Sequence, residues 1–224
     1  MPIDTRAYTL VTETCRLHHA TLVAVSKTRP LADLQELYQM GQRVFAENRV
    51  QELTAKAPQL PQDIEWHLIG HLQTNKVRAL LPYVHCIQSL DRESLWEKLQ
   101  EEASRNQSTI RCLLQIKVAA EESKYGWDYK ALCELLESGK TAQWPLVKVE
   151  GVMGMATLTD DEAQVRGEMR RLKKYFVALK ENHFRSDPQF RILSMGMSGD
   201  YTMALEEGSN MVRIGSLLFS SSLA

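Results

Sequence analysis

Eight short segments typical of strands recur along the chain, separated by segments with helical character. We predict strands over residues 22–27, 43–46, 63–70, 83–89, 109–118, 146–153, 190–193 and 211–214. Between them we predict helices over residues 31–40, from 47–49 to about 56, and over 74–81, 91–104, 128–138, 160–182 and 199–206, with one more helix in residues 1–19. Alternating strands and helices with short connections predict a parallel sheet, and eight such units close into a barrel.

We therefore predict an α/β fold with a single domain over residues 1–224, a (β/α)8 barrel of the TIM type with an extra amino-terminal helix. No composition shift or linker divides the chain. An open, doubly wound sheet is the alternative, and the lack of a GxGxxG sequence after the first strand counts against it.

Composition excludes several classes of protein. A net charge of −1 indicates neither a nucleic-acid partner nor an anionic membrane partner. No apolar run reaches about 18 residues, and the first residues lack an apolar signal core, so we expect a cytoplasmic location. The cysteines are widely spaced without a CxxC pair, which predicts free thiols in a reducing compartment and no metal site. They are Cys15, Cys86, Cys112 and Cys133.

Lys27 follows the first apolar run, at the point where a buried strand ends. Burying an unpartnered ammonium is costly, and a buried lysine can lower its pKa so that its neutral amine forms a Schiff base with a carbonyl. The alternative is a lysine that extends its ammonium into solvent. Active groups of a barrel collect at the carboxyl ends of its strands, which is where Lys27 is predicted.

Two glycine–serine stretches suit a phosphate. Ser198-Gly199 opens a predicted helix, and Gly215-Ser216 follows the eighth strand. Backbone N–H groups at such positions bind anions, and barrels commonly bind phosphate with the loops after strands seven and eight. The alternative is that these residues only cap helices.

Arg213 lies between apolar residues of the eighth strand, so its guanidinium needs an acceptor. That acceptor is either a carboxylate such as Glu206 or Glu207, or a ligand atom at the barrel mouth. Strands eight and one are neighbours in a closed barrel, which brings Arg213, Lys27 and the phosphate loops together. An amine, a phosphate cradle and a cation near a ring nitrogen fit pyridoxal 5′-phosphate. An aldolase that uses Lys27 without a cofactor is a further alternative.

Other candidates lie at the predicted strand ends, and we predict no catalytic residue and no metal ligand. The predicted cofactor-binding set is Lys27, Asn48, His67, Met153, Ser194, Ser198, Arg213, Gly215 and Ser216. A structural hydrogen bond is the alternative role for His67, and core packing is the alternative for Met153.

Eight sequence motifs resemble the pyridoxal phosphate homeostasis protein family, and they span nearly the whole chain. The motifs are Ala24-Val25-Ser26-Lys27-Thr28, Phe45-Ala46-Glu47-Asn48 with Gln51-Glu52, His67-Leu68-Ile69-Gly70, Gln73-Thr74-Asn75-Lys76, Lys124-Tyr125-Gly126, Glu150-Gly151-Val152-Met153, Leu193-Ser194-Met195-Gly196-Met197-Ser198-Gly199-Asp200 and Val212-Arg213-Ile214-Gly215. His71 departs from the family, which usually has proline at this position.

The resemblance implies a barrel like the amino-terminal domain of alanine racemase, of fold type III. It implies that Lys27 carries pyridoxal phosphate, that Arg213 faces the pyridine nitrogen, and that the phosphate is held by Ser198, Gly215 and Ser216. It also implies a role in intracellular vitamin B6 and amino-acid homeostasis without an established reaction.

We expect a cofactor carrier rather than an enzyme. An arginine at the ring nitrogen leaves that nitrogen unprotonated, which weakens the electron sink that carbanion chemistry needs. Racemases of this type also take a second acid/base from another domain, and we expect none here beyond a rim residue such as Tyr125. The alternative is a fold-type III amino-acid racemase or decarboxylase. We expect a monomer, with apo forms of pyridoxal phosphate enzymes as recipients.

Overall fold

The computed structural model describes residues 3–119 and 125–219, and its eight parallel strands form a closed barrel in sequence order. The first and last strands close the ring through the pairs Thr21↔Met211 and Val23↔Arg213. The strands are β1 (Thr21–Val25), β2 (Val44–Glu47), β3 (Glu65–Leu68), β4 (Val84–Leu90), β5 (Ile110–Gln115), β6 (Val147–Met153), β7 (Ile192–Ser194) and β8 (Met211–Ile214). The predicted fold class and strand order are confirmed.

Helices surround the barrel, and the first of them is the predicted extra helix before β1. They are α1 (Thr5–Leu17), α2 (Leu31–Gln39), α3 (Val50–Lys56), α4 (Val77–Leu80), α5 (Glu93–Arg105), α6 (Tyr129–Glu137), α7 (Glu162–Asn182) and α8 (Tyr201–Glu206). Short 3-10 helices cover Ala57–Gln59, Thr74–Lys76 and Lys140–Gln143. Residues 1–2 of the predicted first helix and Lys124 of the family motif lie outside the described residues. Within 3–119 and 125–219, no helix is long and apolar enough to cross a membrane.

Strand β3 covers Glu65–Leu68 rather than the predicted residues 63–70, and strands β1 and β5 also end earlier than predicted because their last residues leave the barrel. Strand β1 ends at Val25, and the following residues form a turn in which Thr28 has a positive φ of 62°. Strand β5 ends at Gln115, and Ile116 then forms an isolated bridge with Trp127. Apolar character in the sequence therefore extends past the ladder hydrogen bonds at both strands.

The strands separate two apolar layers. The outer layer packs strands against helices and contains fully buried Phe45, Phe190 and Phe219. A smaller cluster fills the barrel interior with Val23, Val25, Ala46, Cys86, Leu113, Met153 and Met211. Both faces of β1 are thus covered, with Leu22 and Ala24 in the outer layer and Val23 and Val25 in the interior, which explains why this strand reads as a continuous apolar run.

Gly196, in the loop after β7, has a conformation that excludes a side chain. Its φ is 96°, and a Cβ atom there would lie 2.5 Å from the Cβ of Ala204. Gly196→Ala is therefore expected to lower the free energy of unfolding by about 2–3 kcal/mol in urea denaturation. Gly167→Ala is the matched control, because Gly167 lies in α7 with open space around it.

The control substitution is expected to raise the free energy of unfolding by roughly 0.5–1 kcal/mol, since alanine favours a helix more than glycine does. Equal stability of the Gly196→Ala variant and the wild type would contradict this account of the loop.

Candidate functional site

Lys27 lies in the turn that follows β1, at the carboxyl end of the barrel. The position is as predicted, but the expected burial is wrong: Lys27 is exposed, and Ser26 is the last buried residue before the turn. The reason is that β1 ends two residues earlier and the chain turns outward. No carboxylate among residues 3–119 and 125–219 pairs with the Lys27 ammonium.

A buried ionic network holds the backbone on both sides of Lys27. Glu47, fully buried at the end of β2, accepts hydrogen bonds from Ser26 Oγ and Lys56 Nζ, each at 2.7 Å. Lys56 Nζ also donates to the Ser26 carbonyl at 2.8 Å, and Thr28 N–H donates to Glu52 at 2.8 Å. The Lys27 turn is therefore fixed by side chains from the next strand–helix unit.

The pH dependence of stability reports on this network. Burial raises the pKa of Glu47 and outweighs the hydrogen bonds from Lys56 and Ser26, which lower it. As the pH rises above the ordinary value of 4.5, the unfolded chain releases this proton before the folded protein does, so stability falls. We expect Glu47→Gln to weaken that decline above pH 4.5, measured by urea denaturation.

Glu52→Gln is the matched control, with the opposite expected sign. Burial acts to raise the pKa of Glu52, but the Thr28 N–H bond and the Lys56 charge lower it overall. Glu52 then contributes stability above its unfolded pKa that is lost as the pH falls through its folded pKa. If the stability of Glu47→Gln and of Glu52→Gln changed with pH in the same way, the opposite pKa shifts of the two carboxyl groups would be contradicted.

The two predicted phosphate loops meet. Ser198 Oγ accepts a hydrogen bond from Gly215 N–H at 3.2 Å, which joins the loop after β7 to the loop after β8. Asp200 shapes the first loop by accepting from Met197 N–H at 2.6 Å. Both loops lie at the carboxyl end of the barrel, and Ser216 is exposed beside them. Hydroxyl and N–H groups are thus concentrated where an anion could bind.

Arg213 is buried and has only neutral hydrogen-bond partners. Its Nη1 donates to Ser194 Oγ at 2.6 Å and its Nη2 to the Gly154 carbonyl at 2.9 Å, with 3% of the residue exposed. Desolvation lowers the pKa of Arg213 to about 10, against the opposing charge of Asp200, so the guanidinium stays charged at neutral pH. A buried cation without a carboxylate partner is costly.

The alternative ion pairs for Arg213 do not form. Glu206 accepts from Arg166, and Glu207 accepts from Arg166 and Arg170, so both carboxylates connect α8 to α7 on the surface.

His67 is misplaced in the prediction. It lies inside the barrel, 3% exposed, and its side chain lines a cavity at the amino-terminal end of the strands rather than the mouth. Its Nδ1 lies 2.8 Å from Nε2 of Gln88, whose Oε1 accepts from Ser194 Oγ at 2.7 Å. The bond to Gln88 is the kind of contact that the alternative structural role of His67 requires. Gln88 was not predicted, and its only sequence signal is an amide within an apolar strand.

The remaining predicted residues divide by burial. Asn48 is exposed immediately after β2, at the carboxyl end of the barrel. Met153 is fully buried in the interior apolar cluster, as its core-packing alternative requires. Ser194 contacts Arg213 directly.

These residues fit pyridoxal phosphate. An accessible amine, two joined loops that carry hydroxyl and N–H donors, and a buried guanidinium without an anionic partner lie at one end of the barrel. The first suits an aldehyde, the second a phosphate, and the third a ligand atom with a lone pair.

Comparison with known proteins gives a consistent relationship. The family model for the alanine racemase N-terminal domain matches residues 7–222. A pyridoxal phosphate homeostasis protein from Aquifex aeolicus is 41% identical over 201 residues, covering 89% of this chain and 86% of that protein. Another pyridoxal phosphate homeostasis protein, from Synechocystis, is 36% identical over 210 residues, covering 90% of this chain and 91% of that protein.

Solved structures agree. PipY of Synechococcus elongatus, solved with pyridoxal phosphate bound, has a TM-score of 0.84 at 34% identity, covering 96% of this chain and 99% of that one. Alanine racemase from Corynebacterium glutamicum has a TM-score of 0.75 at 15% identity, with all of this chain covering 63% of the enzyme. The second likeness shows the shared fold alone.

Proposed function

This chain belongs to the pyridoxal phosphate homeostasis protein family, and we propose that it binds pyridoxal 5′-phosphate as a Schiff base on Lys27 and acts as a carrier of the cofactor. The role in vitamin B6 homeostasis follows from the family, and the binding of the cofactor by PipY supports the ligand. A monomeric state, a cytoplasmic location and apo-enzyme recipients stay predictions.

The proposed binding set assigns one task to each part of the mouth. Lys27 supplies the amine, which adds to the aldehyde carbon with loss of water. Ser198, Gly215 and Ser216 bind the phosphate, and Arg213 donates to an acceptor on the ring. When bound, the cofactor supplies an electrophilic carbon to amines. The set also includes Asn48, Met153 and Ser194.

The observation that carries the proposal is the isolation of the Arg213 charge. Natural proteins pair buried guanidinium groups with anions or leave them at the surface. Here Ser194 and Gly154 satisfy two of the donors without neutralising the charge. A ligand that brings an acceptor and a phosphate dianion to this end of the barrel supplies the missing counter-charge.

The exposure of Lys27 favours a carrier over an enzyme. A covalently held cofactor at an exposed rim is accessible to an incoming amine or to a recipient protein. Carbanion chemistry is instead favoured by a site that excludes water and protonates the ring nitrogen, and an arginine donor opposes that protonation.

A transfer experiment tests the carrier role. The protein is loaded with pyridoxal phosphate, freed of excess cofactor and mixed with an apo aminotransferase, either directly or across a dialysis membrane. We expect enzyme activity to recover faster on direct contact than across the membrane, and we expect no racemisation of L-alanine by the loaded protein alone. Equal recovery in both arrangements, or sustained racemisation, would contradict the carrier role.

A further inference from the structure

A second cavity lies at the end of the barrel opposite Lys27. Its volume is about 320 Å³, near the lower end of the range of roughly 300–1,000 Å³ usual for small-molecule sites. Residues at or near the amino ends of the strands line it, including Thr21, Val44, Glu65, Arg111, Ile192 and Met211. None of the cofactor-binding groups proposed above lines this cavity.

Two donors in this cavity lack an acceptor. Burial lowers the pKa of His67 to about 3, so its ring is neutral, and its Nδ1 accepts from the Gln88 amide. The ring proton therefore lies on Nε2, for which no residue in 3–119 or 125–219 provides an acceptor. The guanidinium of Arg191 likewise has no anionic partner in those ranges.

Two carboxylates in the same cavity can accept a further hydrogen bond. Glu150 is 6% exposed, and only its Oε1 is bonded, to Arg111 Nε at 2.6 Å, while Oε2 is buried without a hydrogen bond. Glu65 lies 3.3 Å from Nε2 of His85. The Glu65 side chain is 49% exposed, so it is open to a further donor.

We propose that this cavity is a second ligand site and that it binds a small zwitterion with one carboxylate and one ammonium, such as a free α-amino acid. The carboxylate accepts from His67 Nε2–H and Arg191, and the ammonium donates to Glu65 and Glu150. The formal charges of the lining are balanced, with Glu65 and Glu150 against Arg111 and Arg191.

Other ligand classes satisfy fewer of these groups. A simple carboxylate brings no further donor to Glu65 or Glu150, and a simple amine brings no acceptor to His67 or Arg191. A metal ion is disfavoured as well, because residues 3–119 and 125–219 contain no group of three or more ligand-type side chains arranged for one.

A directional chain of hydrogen bonds connects this cavity to the other end of the barrel. Arg213 donates to Ser194, Ser194 to Gln88, and Gln88 to His67, with donor–acceptor distances of 2.6, 2.7 and 2.8 Å. This series of hydrogen bonds ends at His67 Nε2–H. A carboxylate there would supply the terminal acceptor, which strengthens every bond of a polarised chain.

Calorimetric titration of the full chain without pyridoxal phosphate tests the proposal. The probes are glycine and L-alanine, with acetate and methylamine as single-group controls. We expect saturable binding of the amino acids, with acetate and methylamine weaker by at least about tenfold. Absent saturable binding, or acetate binding as tightly as glycine, would overturn the proposal.

Two rim variants locate the site. Glu65→Gln and Arg191→Gln are each expected to weaken amino-acid binding by at least about tenfold, while Lys173→Gln, on the exposed surface of α7, leaves it unchanged. Unchanged binding in both rim variants would overturn the proposal. Pyridoxal phosphate binding is measured in parallel and should be the same in all three variants, so this result is independent of the proposed carrier function.

Discussion

Lys27→Ala is expected to abolish the visible absorbance of the pyridoxal phosphate-loaded protein and to weaken cofactor binding by at least about a hundredfold, equivalent to about 2.7 kcal/mol. The reason is that alanine has no amine for the aldehyde, so only the phosphate and ring contacts remain. Absorption spectra and equilibrium dialysis measure the two effects.

Lys117→Ala is the matched control for this prediction. Lys117 is also exposed and follows β5, at the same end of the barrel as Lys27. The control variant should keep the visible band and the wild-type affinity. A Lys27→Ala variant that keeps the band would show that Lys27 is not the attachment point, and loss of the band in Lys117→Ala as well would show that the effect is not specific to Lys27.

Arg213→Met is expected to weaken pyridoxal phosphate binding by about a hundredfold, because truncating one member of a buried charged hydrogen bond costs about 2–5 kcal/mol. The unliganded protein should respond differently. Methionine removes a buried charge that has only neutral partners, so the free energy of unfolding should stay within about 2 kcal/mol of the wild-type value.

The two measurements separate binding from folding. Equilibrium dialysis gives the affinity, and urea denaturation of the unliganded protein gives the stability. Arg166→Met, which removes surface ion pairs with Glu206 and Glu207, is the control for affinity and should bind as the wild type does. Wild-type affinity in Arg213→Met would remove Arg213 from the binding set.

The barrel could be predicted from sequence because strand–helix alternation is a local pattern, and each run was apolar enough to be covered on both faces. The placement of Lys27 after the first strand followed from the same pattern. The exposure of Lys27 could not be predicted in this way. The residue at which β1 ends depends on the hydrogen bonds that β1 makes with β2 and β8, rather than on the residues of β1 alone.

The polar contacts inside the barrel could not be predicted from the sequence for a different reason. Gln88 bonds to Ser194, 106 positions later in the chain, so nothing near Gln88 indicates its partner. The depth of His67 depends on the stagger of neighbouring strands, which sequence periodicity does not specify. Glu206 and Glu207 looked like partners for Arg213 because they are close in sequence, but α8 turns them toward Arg166 and Arg170 of α7 instead.

The most direct test of the central claim is chemical trapping of the attachment point. The protein is mixed with pyridoxal phosphate, reduced with sodium borohydride, digested and mapped by mass spectrometry. We expect a phosphopyridoxyl group on the peptide that contains Lys27 at near-stoichiometric yield. A label spread over many surface lysines, or concentrated on a lysine other than Lys27, would contradict it.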